Sequence, residues 1–224
     1  IAQNMRGEIA GMRAVKTALA NGAAVVNVAI EGGKSIADLL VELKAKTVQA
    51  NQAGLDAASR TALTNDFFAL RDQIDTTVAT AEFNGINLLK NGASGTTVLS
   101  TVDGSTIAVS AQNMSAIFLQ FGQPYADLSS SSNASQTLSL IESATISVSD
   151  SLAALGSVAR RIEVQSEFTA KLTDIQRAGV GNLVDADLAE ESANLQAQQI
   201  KQQLGVQALS IANSSPQAIL SLFG

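Results

Sequence analysis

Along most of this chain apolar residues recur at steps of three and four. Ile1, Met5, Ile9, Met12 and Leu19 open the pattern. Their spacing predicts an amphipathic helix with one apolar face. Lys16 interrupts that face, and Arg6, Glu8 and Arg13 fall off it. Ala23–Ile30 is a short apolar stretch, and Glu31-Gly32-Gly33-Lys34 then predicts a turn. Ser35, with Asp38 three residues on, has the spacing of a helix N-cap. The helix it predicts turns Ile36, Leu40, Leu43 and Thr47 inward. Asn51–Ser59 is polar and turn-rich. A third helix is predicted from about Ser59, with Leu63, Phe67, Leu70, Ile74 and Val78 as its seam.

Phe83-Asn84-Gly85 ends the helical run, and Gly85 supplies the positive φ that a turn there needs. From Thr96 the period changes to two. TTVLSTV and STIAVSA, separated by Asp103-Gly104, predict a β-hairpin with a two-residue turn. Ile117, Leu119 and Phe121 alternate as a third strand. Gly122–Asn133 holds Pro124, Tyr125 and the run Ser129, Ser130, Ser131 and Ser132, a loop composition. Helix returns near Ser135, with Ile141, Val148, Leu155 and Ile162 spaced by sevens. Phe168, Leu172 and Ile175 are expected to continue that stripe. Gly179 and Gly181 are expected to loosen the chain.

The segment from Leu183 to Gly224 carries the most pronounced pattern. Asp187 and Glu190 have capping-box spacing. Ala193, Ala197, Ile200, Leu204, Ala208 and Ile211 then form a heptad-like seam. Leu188, Leu195, Val206 and Leu209 are expected to widen it. The end is apolar, with Ile219, Leu220, Leu222 and Phe223, and no charge follows Lys201. Such a segment calls for burial against other chains. A last helix docking back on its own domain is the plainer alternative.

Composition narrows the chemistry. The 224 residues are 46% apolar but only 4% aromatic, which suits long packed helices. The expected fold is mainly α: a long antiparallel helical bundle or coiled coil with a small β-hairpin insert. A net charge of −6 without a basic cluster argues against nucleic acid. There is no cysteine and no histidine, so thiolate sites and the commonest general base are absent. No metal, cofactor or catalytic set is expected. Asp72 and Asp75 read as a solvated helix face, and the acids from Asp185 to Glu191 as helix capping. Gly32-Gly33-Lys34-Ser35 lacks the upstream glycine of a phosphate loop, because Val28 stands there. Arg160-Arg161 reads as surface charge or a subunit contact. The longest apolar run, Ala23–Ile30, is too short to span a membrane, so no membrane insertion is expected.

Two motifs carry a family resemblance. AEFNGINLL at Ala81–Leu89 and ALSIANSSPQAILSLF at Ala208–Phe223 resemble landmarks of bacterial flagellin, in the same order. The resemblance implies a filament subunit that polymerises with other flagellin subunits. It implies helical shell arms at 1–90 and 135–180, a small variable region at 91–134, and an inner coiled-coil segment at 181–224. Shell packing is then expected from Ile36, Leu40, Leu43, Phe67, Ile74, Ile141, Val148, Leu155 and Ile162. Inner-core packing is expected from Leu188, Leu195, Ile200, Leu204, Ile211, Leu220, Leu222 and Phe223. The implied partners are an export chaperone, the flagellar export apparatus, and the cap and hook-junction proteins; the implied location is outside the cell.

Ser129–Ser132 is the candidate O-glycosylation site, against a plain loop. A flagellin also carries roughly fifty residues ahead of the position matching Ile1, so truncation is expected. Lys44 and Lys46 stand where the resemblance places an arginine and an apolar residue of the patch read by the host flagellin receptor. Weak recognition is expected, because lysine lacks the guanidinium fork. A hook–filament junction protein and a surface binding module, for instance for polysaccharide, remain as alternatives.

Overall fold

The structure is a computed structural model that describes residues 1–115, 121 and 126–223; of 185–187 and 212–223 it describes the backbone alone. Three helices carry the fold: α1 (Ala2–Ala50), α2 (Ala57–Thr80) and α3 (Ser131–Phe223). Between α2 and α3 lie two small antiparallel pairs. β1 (Glu82–Phe83) pairs with β2 (Ile86–Asn87), and β3 (Thr96–Leu99) with β4 (Thr106–Val109). The chain divides into two compact units, Ile1–Ile9 with Thr173–Gly224, and Ala10–Leu172.

In the larger unit, α2 and α3 both run antiparallel to α1. Lys44 pairs with Glu142 at 3.1 Å, while further back along α1 Gly33 faces Leu152. Lys46 pairs with Asp66, and Gly32 faces Ala81. The seams meet in one core. Ile36, Leu40, Leu43, Phe67, Ile74, Ile141, Val148, Leu155 and Ile162 are all buried. Phe67 packs edge-on against Phe121, ring centroids 6.2 Å apart. The polar groups among them are satisfied: the Thr47 hydroxyl donates to the Leu43 carbonyl and that of Thr169 to Gln165.

The turn expected at Glu31–Lys34 is not there, and α1 runs through it. Ser35 is accordingly an interior residue rather than a cap. Gly32 and Gly33 mark close approach instead of a break. A Cβ on Gly32 would lie 3.0 Å from Ala81 Cβ and Leu89 Cδ1, and one on Gly33 would lie 2.8 Å from Leu152 Cδ2. Likewise α3 continues through Gly179 and Gly181. The seam of α3 passes from Ile162 to the buried Thr169, while Phe168 and Ile175 are 57% and 68% exposed, so the expectation for those two is corrected. Seven-residue spacing from Ile162 reaches position 169, and Phe168 is one residue off the line.

The second motif is a packing device. Asn84 and Gly85 both have positive φ, 51° and 79°, which closes the β1–β2 hairpin in two residues. Asn87 then ties the hairpin to α2. Its Nδ2 donates to the Val78 carbonyl at 2.7 Å, and its Oδ1 accepts from the Leu89 and Lys90 amides. Leu88 and Leu89 follow into the core.

The β3–β4 hairpin covers the part of α1 that α2 does not reach. Val98 sits over Gly22 and Val102 over Gly11, and Gln165 Nε2 on α3 donates to the Ser100 carbonyl at 2.8 Å. Its connection spans Ser100–Ser105 rather than two residues. The Ser100 amide and hydroxyl both donate to the Ser105 carbonyl, closing the wider loop. The third strand expected at Ile117 and Leu119 lies outside the described residues. Phe121 itself is buried.

Candidate assembly surfaces

α3 starts with a built cap. Ser130 Oγ accepts from the Asn133 amide, and the Ser130 carbonyl from the Ala134 amide. Ahead of it, Asp127 Oδ1 accepts from the Ser129 amide, the Ser129 hydroxyl and Asn133 Nδ2. Burial raises the Asp127 pKa, but the bonds from Asn133 and Ser129 outweigh it and hold the carboxyl below 3.8. Ser129 and Ser130 thus use their hydroxyls in capping, whereas Ser131 and Ser132 are exposed in the first turn of α3.

In the smaller unit the first residues accompany α3 near Gln176. Gln176 Nε2 donates to Glu8 Oε2 at 2.7 Å, and a Cβ on Gly179 would lie 3.1 Å from Met5 Cε. Beyond that the helix lies open. Leu188, Leu195, Ile200, Leu204 and Ile211 are each more than half exposed. The side chains of Leu220, Leu222 and Phe223 lie outside the described residues.

The open part of α3 is apolar on two sides. At about 100° per residue, Leu188, Leu195 and Val206 fall nearly opposite Ile200, Leu204 and Ile211. These residues therefore form two seams rather than one widened stripe. A long helix with two bare seams needs neighbours on both sides, a place in the interior of an assembly. Single large apolar residues on a surface mean little, but a contiguous series marks an interaction site.

Four further exposed apolar residues were not apparent as outward-facing from the seam pattern: Val41 and Val48 on α1, and Val164 and Phe168 on α3. The signal that finds them is an apolar residue opposite a seam already committed to the core. Lys44 and Lys46, in the segment likened to the receptor patch, are both salt-bridged. A groove of about 570 Å³ between α1 and α3 is lined by small residues, with Arg160 and Glu163 paired at its rim. Among the described residues no group of three or more carboxylates could hold a metal ion.

The sequence matches the bacterial flagellin N-terminal helical region over residues 1–94 and the C-terminal helical region over 138–223. It is 42% identical to flagellin FljK of Caulobacter vibrioides over 223 residues, covering 99% of this chain and 81% of the relative. It is 30% identical to flagellin C of Rhizobium meliloti, covering 100% and 84%. The fold is similar to that of Bacillus cereus flagellin, with a TM-score of 0.61 at 19% identity over 66% of this chain and 86% of that one. It is also similar to a putative flagellar hook-associated protein of Vibrio parahaemolyticus, at 0.65 and 13% over 81% and 95%. With both helical regions matched in order and the motif residues placed as packing elements, this chain belongs to the bacterial flagellins, the structural subunits that polymerise into the flagellar filament.

Proposed function

We propose that the open part of α3 is the inner strand of the filament, and that its two seams take subunit helices on opposite sides. The unit built on α1, α2 and the first half of α3 then forms the surrounding shell. The observation that carries this is the run of half-exposed residues from Leu188 to Leu204, beside a unit whose own core is complete. Each such side chain, once covered, contributes about 1–3 kcal/mol. Repetition along a lattice turns these small terms into a stable polymer.

One stretch of α3 is apolar enough to cross a membrane by length and composition alone. Neighbouring helices would bury the same surface, and the family match favours them. The likeness to a hook-associated protein is one of fold at 13% identity, whereas the sequence relatives named above are flagellins. The filament reading is therefore preferred to a junction role. Export through the flagellar apparatus with a chaperone, capping at the tip and a junction at the hook are the partners this role entails.

The test is Leu204→Asp in the full-length protein. Leu204 is 64% exposed, so the change leaves the shell unit folded by circular dichroism and limited proteolysis. Filaments should disappear in negative-stain electron microscopy. Filaments of normal stability from this variant would overturn the assignment.

A further inference from the structure

The exposed residues on the outer faces of α1 and α3 form two patches at different levels of the larger unit. Val41 and Val48 stand on the outer face of α1, at 67% and 52% exposure. Val164 and Phe168 stand on the outer face of α3, opposite its buried seam, at 53% and 57%. The antiparallel contacts Lys44–Glu142 and Gly33–Leu152 fix the level of each. Val164 lies beside the part of α1 near residue 21. At about 1.5 Å per residue, that is roughly 40 Å from Val48.

The charges beside the patches are complementary. Asp38 and Glu42 flank the α1 patch on one side and Lys44 on the other. Arg161 flanks the α3 patch on one side and Glu167 on the other, with Lys171 beyond Phe168. Among the described residues Asp38, Glu42, Arg161, Glu167 and Lys171 make no ion pair. When two antiparallel helices pack face to face, like sides meet. Asp38 and Glu42 would then face Arg161, and Lys44 would face Glu167. Helices α1 and α3 already run antiparallel within one copy, so a copy shifted along the bundle axis presents this orientation without rotation.

We propose that the Val41–Val48 patch of one copy docks on the Val164–Phe168 patch of the next, displaced along the bundle axis. The contact joins different surfaces, so it does not close on itself and propagates as a line of subunits. The inference rests on the filament reading and names one of its lateral contacts.

The chain has no cysteine, so crosslinking is clean. Full-length protein carrying both Val48→Cys and Val164→Cys is assembled, treated with a short bis-maleimide and run on a denaturing gel. The proposal expects a ladder of dimers, trimers and higher species, with monomer alone from either single variant. Normal filaments in the microscope without a ladder would overturn the pairing and leave the filament reading standing. Unmodified full-length protein that forms no filaments would overturn both. If the double variant does not assemble, Glu42→Arg and Arg161→Glu decide. Each alone should reduce filament yield at least several-fold, and the two together should restore it. Undiminished yield from both single variants, or no restoration in the pair, would overturn the pairing.

Discussion

Val98 of the β3–β4 hairpin stands over Gly22 of α1 so closely that a methyl group at position 22 would lie 2.7 Å from Val98 Cγ1. Both Cγ atoms of this stiff, β-branched side chain face the helix, so neither can simply swing away. Alanine at position 22 would gain up to about 1 kcal/mol of helix propensity. The steric cost of overpacking, about 1–3 kcal/mol, is expected to exceed it. Gly22→Ala should therefore lower the urea midpoint, and Val98→Ala added to it should recover part of the loss. Additive effects in that double-mutant cycle would show the contact to be unimportant.

A second relationship fixes where α1 ends. Arg60 Nη1 donates to the Ala50 carbonyl at 2.7 Å and to the Leu128 carbonyl at 3.3 Å. One guanidinium group thus joins the end of α1, the start of α2 and the approach to α3. Arg60→Ala leaves a carbonyl at a helix terminus without its partner. A hydrogen bond from a charged group contributes about 1.5–3 kcal/mol, so a loss of that order is expected in chemical denaturation. Hydrogen exchange should accelerate near Ala50 and Leu128 together. Acceleration at only one of them would mean that the group does not act as a three-way tie.

The close contacts also explain what could be read from the sequence. Seven-residue spacing located the α3 face that packs on α1, because burial is what selects those positions. The Phe83–Leu89 motif was legible because Asn84 and Gly85 in sequence demand a tight turn. Gly32 and Gly33 were misread as punctuation. A glycine pair in isolation looks the same whether it bends the chain or lets Leu152 and Ala81 approach, and only the partner decides. The hairpin turn was misjudged for a similar reason: Ser100 and Ser105 close the loop four residues wider than Asp103-Gly104 alone suggests. Phe168 was assigned to the core by its chemistry, although its position is one residue off the seam. The two faces of the open α3 segment became distinct only when each residue was placed around the helix axis.

The core makes its own prediction. Phe67 and Ile74 of α2 are fully buried, and Phe67 touches both Phe68 and Phe121 edge-on. Phe67→Ala removes a ring from the junction of α2 with the segment before α3. A loss of about 3–5 kcal/mol is expected. The shell unit should then unfold at markedly lower temperature by circular dichroism. Val41→Ala on the outer face should change the same midpoint by less than about 0.5 kcal/mol. A similar loss from both variants would mean that the outer face is packed in the isolated subunit.

The start of α3 supplies a pH dependence. Asp127 collects three hydrogen bonds on one oxygen, from Ser129 twice and from Asn133. Burial opposes its ionisation, yet those donors hold its folded pKa below the ordinary 3.8. A carboxyl depressed in the folded state binds protons more weakly there than in the unfolded chain. Its stabilisation is therefore fully present above the unfolded value near 3.8 and is lost as pH falls through the lower folded value. Asp75 behaves in the opposite sense: burial raises its pKa, with Arg71 opposing and Asp72 adding to the rise, so its protonation in acid favours the folded state. The two carboxyls are separable by substitution. Asp127→Ala should cost about 1–2 kcal/mol at neutral pH, as a lost helix cap does. It should also flatten the fall in stability below pH 4. Asp75→Asn should leave that fall in place and relieve the buried charge at neutral pH. Denaturation midpoints measured from pH 7 down to pH 3 for the three proteins check this, and an unchanged acid limb in Asp127→Ala would remove Asp127 from the acid response.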